Sequence, residues 1–200
     1  MRKIDRVLAY LNATRDEKLT LGAGTGPLCL HAFIDASYAP HADAKSHSGA
    51  NMGFGIGSFH CSSSKQKIVT KSSWEAELVA FSDDMSEVVG TGQFIKELGV
   101  KVTIIVHQDN TLTILSTAKG AGSSNRTRHV NIRYFWTRQF IEDGTVTVQY
   151  TSTTAMIAPH TWSYLPFHAS ISFRRRVLAT VSVPRSVSLA TSRAMLQTCT

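Results

Sequence analysis

The sequence predicts an α/β domain built on a mixed sheet, and three observations predict it. Cys29 to Ala36 (CLHAFIDA) and Val102 to His107 (VTIIVH) are short, strongly apolar runs of the kind that fill central strands. Between them, Ser72 to Leu98 has helical spacing, so two like strands are joined by a helical crossover and pair in parallel. The segments between the first run and that helix alternate and are rich in glycine, which suits an antiparallel meander.

Taken in order, Arg2 to Leu11 places Ile4, Val7, Leu8 and Leu11 on one helical stripe, an amphipathic helix that needs something to pack on. Leu19 to Leu21 reads as a short strand and Gly22 to Pro27 (GAGTGP) as a linker. No helix start with a phosphate-binding lysine follows these glycines, so they are not a nucleotide loop. After the central strand come a polar loop, Ser37 to Gly49, a strand over Ala50 to His60, and a third strand over Gln66 to Lys71. Ser72 and Glu75 form a capping box at the start of the long helix, which is expected to break near Gly90 to Gly92 and to stop at Gly99. Beyond Asn110 follow a short helix (TLTILSTA), a loop over Gly120 to Asn125, a helix over Thr127 to Asp143 ended by Gly144, and a strand over Thr145 to Tyr150.

Two hundred residues with 42% hydrophobic content suffice for one domain with a core of its own. Neither a membrane span nor a signal-peptide centre is present, and the expectation is a soluble intracellular protein. Cys29, Cys61 and Cys199 are odd in number and lack metal-ligand spacing, which supports neither a disulfide framework nor a zinc site. The net charge of +7 is uneven: residues 1–150 carry 16 Lys and Arg against all 14 acids, whereas 151–200 carry five Arg and no acid. A basic balance points to a polyanionic partner.

Three carboxylates fall where an open sheet collects ligands. Asp35 ends the first apolar run and Asp109 follows the second, so parallel pairing makes them neighbours. Glu77 borders the apolar stripe Trp74, Leu78, Phe81, Met85 and Val88, closer to the sheet than Glu75, whose role as a cap is sufficient. Taken singly, Glu77 reads as a solvated helix-flank acid, and Asp109 equally as a turn or N-cap acid or as a ligand. Arg126, Arg128, His129 and Arg133 form a basic start to the later helix, suited to phosphates or simply to a solvated face.

The passages IDASYAPHADAKSHSG, SSSKQKIVTKSSWEAELVAFSD, QDN and RTRHVNIRYFWTRQFIEDG together resemble the ribonuclease H (RNase H) domain of Ty1/copia-type LTR retrotransposon polyproteins, over Leu30 to Ala158. The opening RVLAYLNATRDEKLTL resembles the end of the adjoining reverse transcriptase region. The resemblance implies an RNase H-like fold, a five-stranded mixed sheet in the order 3-2-1-4-5 flanked by helices. It implies residues 1–27 as the end of the reverse transcriptase region with its connector, and 28–158 as the RNase H-like domain. It further implies Asp35, Glu77 and Asp109 as catalytic ligands of two Mg²⁺ ions, with Mn²⁺ as an alternative. The activity implied is hydrolysis of the RNA strand of an RNA/DNA hybrid, leaving a 3′-hydroxyl and a 5′-phosphate. The hybrid would be held through Arg126, Arg128, His129 and Arg133, and reverse transcriptase of the same or a related polyprotein would be a partner. The setting would be the cytoplasm, in a virus-like particle, or the nucleus, with no membrane involved.

The resemblance stops abruptly. Family members continue past the last strand with a stretch of the type ADILTKPL, whose aspartate is a fourth ligand, whereas here TAMIA is followed by Pro159, His160 and Thr161. Residues 159–200 read as a diverged basic tail without a fixed fold, as after a change of reading frame. Two readings stay open: a ribonuclease impaired by that loss, and a non-catalytic remnant that at most binds nucleic acid.

Overall fold

The computed structural model describes residues 3–16, 18–24, 26–111, 136–152 and 156. Its elements are α1 (Lys3–Ala13), β1 (Gly22–Ala23), β2 (Leu28–Ser37), β3 (His47–Gly53), β4 (Gly55–Ile56), β5 (His60–Lys65), α2 (Ser73–Glu97), β6 (Val102–Gln108), a helical segment α3 over 136–142, and β7 (Val146–Tyr150). β2 pairs antiparallel with β3, and β3 antiparallel with β5. β2 pairs parallel with β6, and β6 parallel with β7. The five-stranded order is therefore β5-β3-β2-β6-β7, which is the expected 3-2-1-4-5 arrangement of an RNase H-like fold.

The sheet's core face is carried by alternate residues: Leu30, Ala32 and Ile34 of β2, Ala50 and Met52 of β3, and Ile104 and Val106 of β6. Against them α2 lays Phe81, Met85, Val88 and Val89, spaced three and four apart as a helical stripe requires. Leu78, expected on that stripe, is buried instead in a separate contact with Trp74. Ser72 caps α2 by accepting the Glu75 N–H at 3.2 Å, and Glu75 Oε2 reaches back to the Lys71 N–H at 2.6 Å, one residue earlier than a standard box. Gly99 follows the helix at φ +79°, the left-handed conformation that glycine adopts without a Cβ penalty.

Four local expectations are corrected. α2 does not break at Gly90 to Gly92, because Gly92 lets the helix approach β6 closely: a Cβ there would lie 2.3 Å from Ile104 Cδ1. Gly90 is exposed, and a Cβ on it would meet nothing within 4 Å. Gly90→Ala should therefore raise stability by about 0.5–1 kcal/mol through helix propensity, whereas Gly92→Ala should lower it by about 1–3 kcal/mol through overpacking. Urea unfolding of the two variants checks this, and equal effects would count against the tight helix–sheet contact.

The second strand starts at His47 and ends at Gly53, and the short β4 after it pairs with β1 inside the segment read as a linker. The short strand thus lies at Gly22–Ala23, not over Leu19 to Leu21. The third strand is His60–Lys65, with Gln66 to Lys71 forming the turn into α2. In that turn Gln66 is buried, and its Nε2 donates to Ser48 Oγ and to the Ala76 carbonyl, both at 2.9 Å. These contacts tie the edge strand's exit to the start of α2. Among the described residues no helix is long and apolar enough to cross a membrane.

Candidate metal centre

The parallel register of β2 and β6 builds the site. Phe33 and His107 are the last paired residues of the two strands, and Asp35 and Asp109 each lie two residues further on. Two residues is one period of a strand, so Asp35 lies on the same face of β2 as Phe33. Glu77 is supplied by α2 one turn before Phe81, so the core stripe of the helix continues into a carboxylate where the sheet's apolar face ends. Carboxylate oxygens of Asp35, Glu77 and Asp109 all lie within 4.8 Å of one another. Asp35 and Glu77 are buried and Asp109 is half-buried. The structure thus brings together the three acids singled out in the sequence; Arg126, Arg128, His129 and Arg133 lie outside the described residues.

Three clustered acids with little access to water resist full ionisation. Burial, then the negative charges of Asp35 and Asp109, and a hydrogen bond with Asp35, push the Glu77 carboxyl up to about 9. Gln108 works in the opposite direction, donating from Nε2 to Glu77 Oε2 at 3.5 Å. Asp35 Oδ1 accepts the Ala36 N–H at 2.7 Å, and the Asp109 N–H donates to Gln108 Oε1 at 2.9 Å. A proton held at Glu77 marks a place where a cation would be favoured. Hard oxygen donors in this number suit a divalent ion such as Mg²⁺ or Mn²⁺, so the residues present fit the ion that the resemblance implies.

Beside the acids a line of groups that the sequence reading missed runs from buried His31 and His107 to half-buried Thr151. His31 Nδ1 is 3.0 Å from His107 Nε2, and His107 Nδ1 is 2.8 Å from Thr151 Oγ1. Phe33 stacks on His107 at a centroid distance of 4.3 Å. Burial, then the neighbouring His31, lowers His107 to about 3. The Thr151 N–H also donates to the Gln108 carbonyl at 3.0 Å, so the chain leaving β7 is fixed to the end of β6. The available signal was a polar triplet, His107-Gln108-Asp109, closing an otherwise apolar strand.

These shifts give opposite pH dependences. His107 binds a proton near 6.5 when unfolded but only near 3 when folded, so its contribution makes stability rise between those values. Glu77 releases its proton near 4.5 when unfolded but near 9 when folded, so stability falls across that window. Above pH 7 only the second slope remains of the two. Thermal unfolding in chelator should therefore show stability declining from pH 7 to 9. Glu77→Gln should flatten that decline; a slope unchanged in the variant would remove Glu77 as its source.

No protein-family model matches the chain. Over 148 residues it is 30% identical to the retrovirus-related Pol polyprotein from transposon TNT 1-94 of Nicotiana tabacum, covering 74% of this chain and 11% of that polyprotein. The chain belongs to the retrotransposon Pol family. A second Pol relative, from transposon RE2 of Arabidopsis thaliana, is 30% identical over 186 residues, covering 92% of this chain and 13% of the relative. The chain thus spans little more than a tenth of the length of these Pol polyproteins. Among solved structures, the PFV RNase H domain is similar with a TM-score of 0.46 at 11% identity, over 76% of this chain and 93% of that one. In this Pol chain Asp35 falls within the motif IDA and Glu77 is the second acid of EAEL.

Proposed function

We propose that the chain is the RNase H unit of a retrotransposon Pol polyprotein and hydrolyses the RNA strand of an RNA/DNA hybrid, with Asp35, Glu77 and Asp109 holding divalent magnesium. The observation that carries this reading is the meeting of three carboxylates, from β2, α2 and the end of β6, within 4.8 Å. When bound, Mg²⁺ lowers the pKa of an attacking water and neutralises charge developing on the scissile phosphate. The chain's own contributions are steric and electrostatic. The ends of two parallel strands fix Asp35 and Asp109, the core contact of α2 fixes Glu77, and the proton that Glu77 holds in the metal-free protein is displaced when cations take its place.

Hybrid recognition would run through phosphates and 2′-hydroxyls, with Arg126, Arg128, His129 and Arg133 as the phosphate contacts. Arg128→Ala should reduce the salt slope of hybrid binding by about one, and an unchanged slope would count against that contact. Residues 1–27 are assigned to the end of the reverse transcriptase region, 28–158 to the RNase H unit and 159–200 to a diverged tail. Reverse transcriptase of the same or a related polyprotein is the proposed partner, in an intracellular setting.

One observation favours a second reading. From Gln149 to the C-terminus there is no Asp or Glu, so the segment that supplies a fourth acid in the family cannot do so here. Loss even of a group behind the direct ligands costs about 10–100-fold at metal sites. The chain would then be a weak enzyme, or a remnant that binds nucleic acid without cutting it. Incubating a labelled hybrid with Mg²⁺ or with chelator separates the two. Metal-dependent product supports the enzyme, whereas its absence at high protein concentration leaves the remnant.

A further inference from the structure

We propose that Gln108 is a positioning residue for the acid cluster: its side-chain amide spans from the main chain of Asp109 to the carboxylate of Glu77 and holds the two at a fixed separation. This rests on the metal-holding reading above and extends it to a residue that is not itself a ligand.

The residue type comes first. Gln108 closes β6 on the side of the sheet that carries Ile104 and Val106, and it is 0% exposed. An amide taken out of water at such a position costs free energy unless both of its ends are satisfied. Here both are: Oε1 accepts the Asp109 N–H at 2.9 Å, and Nε2 donates to Glu77 Oε2 at 3.5 Å. The strand end that carries this side chain is itself held, because the Gln108 carbonyl accepts the Thr151 N–H at 3.0 Å.

The partners also fix which way round the amide lies. A main-chain N–H can only donate, so it requires the oxygen end of the Gln108 amide. The NH₂ end is thereby directed at Glu77, to which it can only donate, and this favours the ionised form that binds a cation. One planar group therefore links two acids that lie more than thirty residues apart in the chain and on different elements. Asparagine, one methylene shorter, would not reach across the same span. Methionine would fill a similar volume with neither hydrogen bond.

The test uses the whole chain and Mn²⁺ as the probe, with free Mn²⁺ followed by electron paramagnetic resonance. Gln108→Met is expected to raise the Mn²⁺ dissociation constant by about 10–100-fold, the range for groups that orient ligands without touching the metal. Asp109→Asn serves as the ligand-loss control. Wild-type and Gln108→Met proteins of equal affinity, both tighter than Asp109→Asn, would overturn the positioning role and leave the metal centre standing. Wild type no tighter than Asp109→Asn would overturn the metal centre and this role with it. Should Gln108→Met fail to fold, the wild-type protein decides. The Gln108 side-chain NH₂ signals in a ¹⁵N spectrum are expected to move on Mg²⁺ titration with the midpoint of metal binding, and signals that stay fixed through saturation would overturn the proposal.

Discussion

Asp109→Asn is expected to lower Mg²⁺-dependent cleavage of a labelled RNA/DNA hybrid by more than about 100-fold while raising the stability of the metal-free protein at pH 8. On the proposed metal-holding reading the loss follows from removing a direct carboxylate ligand, since the loss of groups that merely orient ligands already costs about 10–100-fold. The gain follows from the same geometry. Asp109 is one of two negative charges that push Glu77 upward, so neutralising it lets Glu77 ionise at a lower pH in the folded state and shallows the decline in stability toward pH 9. Asparagine leaves the main chain unchanged, so the N–H bond to Gln108 Oε1 can persist and the variant should fold. A general structural lesion would lower activity and melting temperature together, whereas the metal centre predicts that they move apart. Retention of full cleavage would remove Asp109 from the reaction.

The second large effect lies in the core. Phe81 is 0% exposed and packs between α2 and the central strands with Leu30, Ile34, Met85 and Ile104. Phe81→Ala should cost about 3–5 kcal/mol, the transfer of a ring from the core together with the cavity it leaves. That is a large share of the roughly 5–15 kcal/mol that holds an ordinary domain together. Guanidinium titration should show an earlier midpoint with an unchanged slope, as expected when stability alone changes. Phe81 lies one turn beyond Glu77 on the same helix face, so the variant should also lose cleavage at temperatures where it is still folded. A cost below about 1 kcal/mol would mean that this face is not the one that anchors α2.

What was legible in the sequence follows from which residues report their surroundings. The central strands announce themselves because both faces of β2 and β6 are buried and their apolar runs suit that, whereas β3 is buried throughout with the sequence HSGANMG and shows no such run. Their parallel pairing, and with it the meeting of Asp35 and Asp109, follows from the helix between them. β5 gave no such signal. HCSSSK has no apolar alternation because an edge strand has little to bury, and the apolar side chains beside it, Phe59 before it and Ile68 and Val69 after it, lie outside the strand. The break assigned to Gly90 and Gly92 failed because glycine was read as a helix breaker, when Gly92 is small to let Ile104 in. Glu77 could be preferred to Glu75 from angles alone, but Gln108 could not be found that way. Its importance lies in two hydrogen bonds to groups brought near it by the fold. The arginines at 126, 128 and 133 and the histidine at 129 remain proposals from their residue types and the family resemblance.

The polar rim of the sheet has a consequence for the chain in company. Ser63, Ser64 and Lys65 of β5 are exposed, and Lys65 is further committed to an ion pair with Asp43 at 2.7 Å. Hydroxyls and an ammonium group give a neighbouring molecule's backbone poor purchase for adding itself as a sixth strand. Crowded copies of the chain are thereby discouraged from joining sheet to sheet through β5.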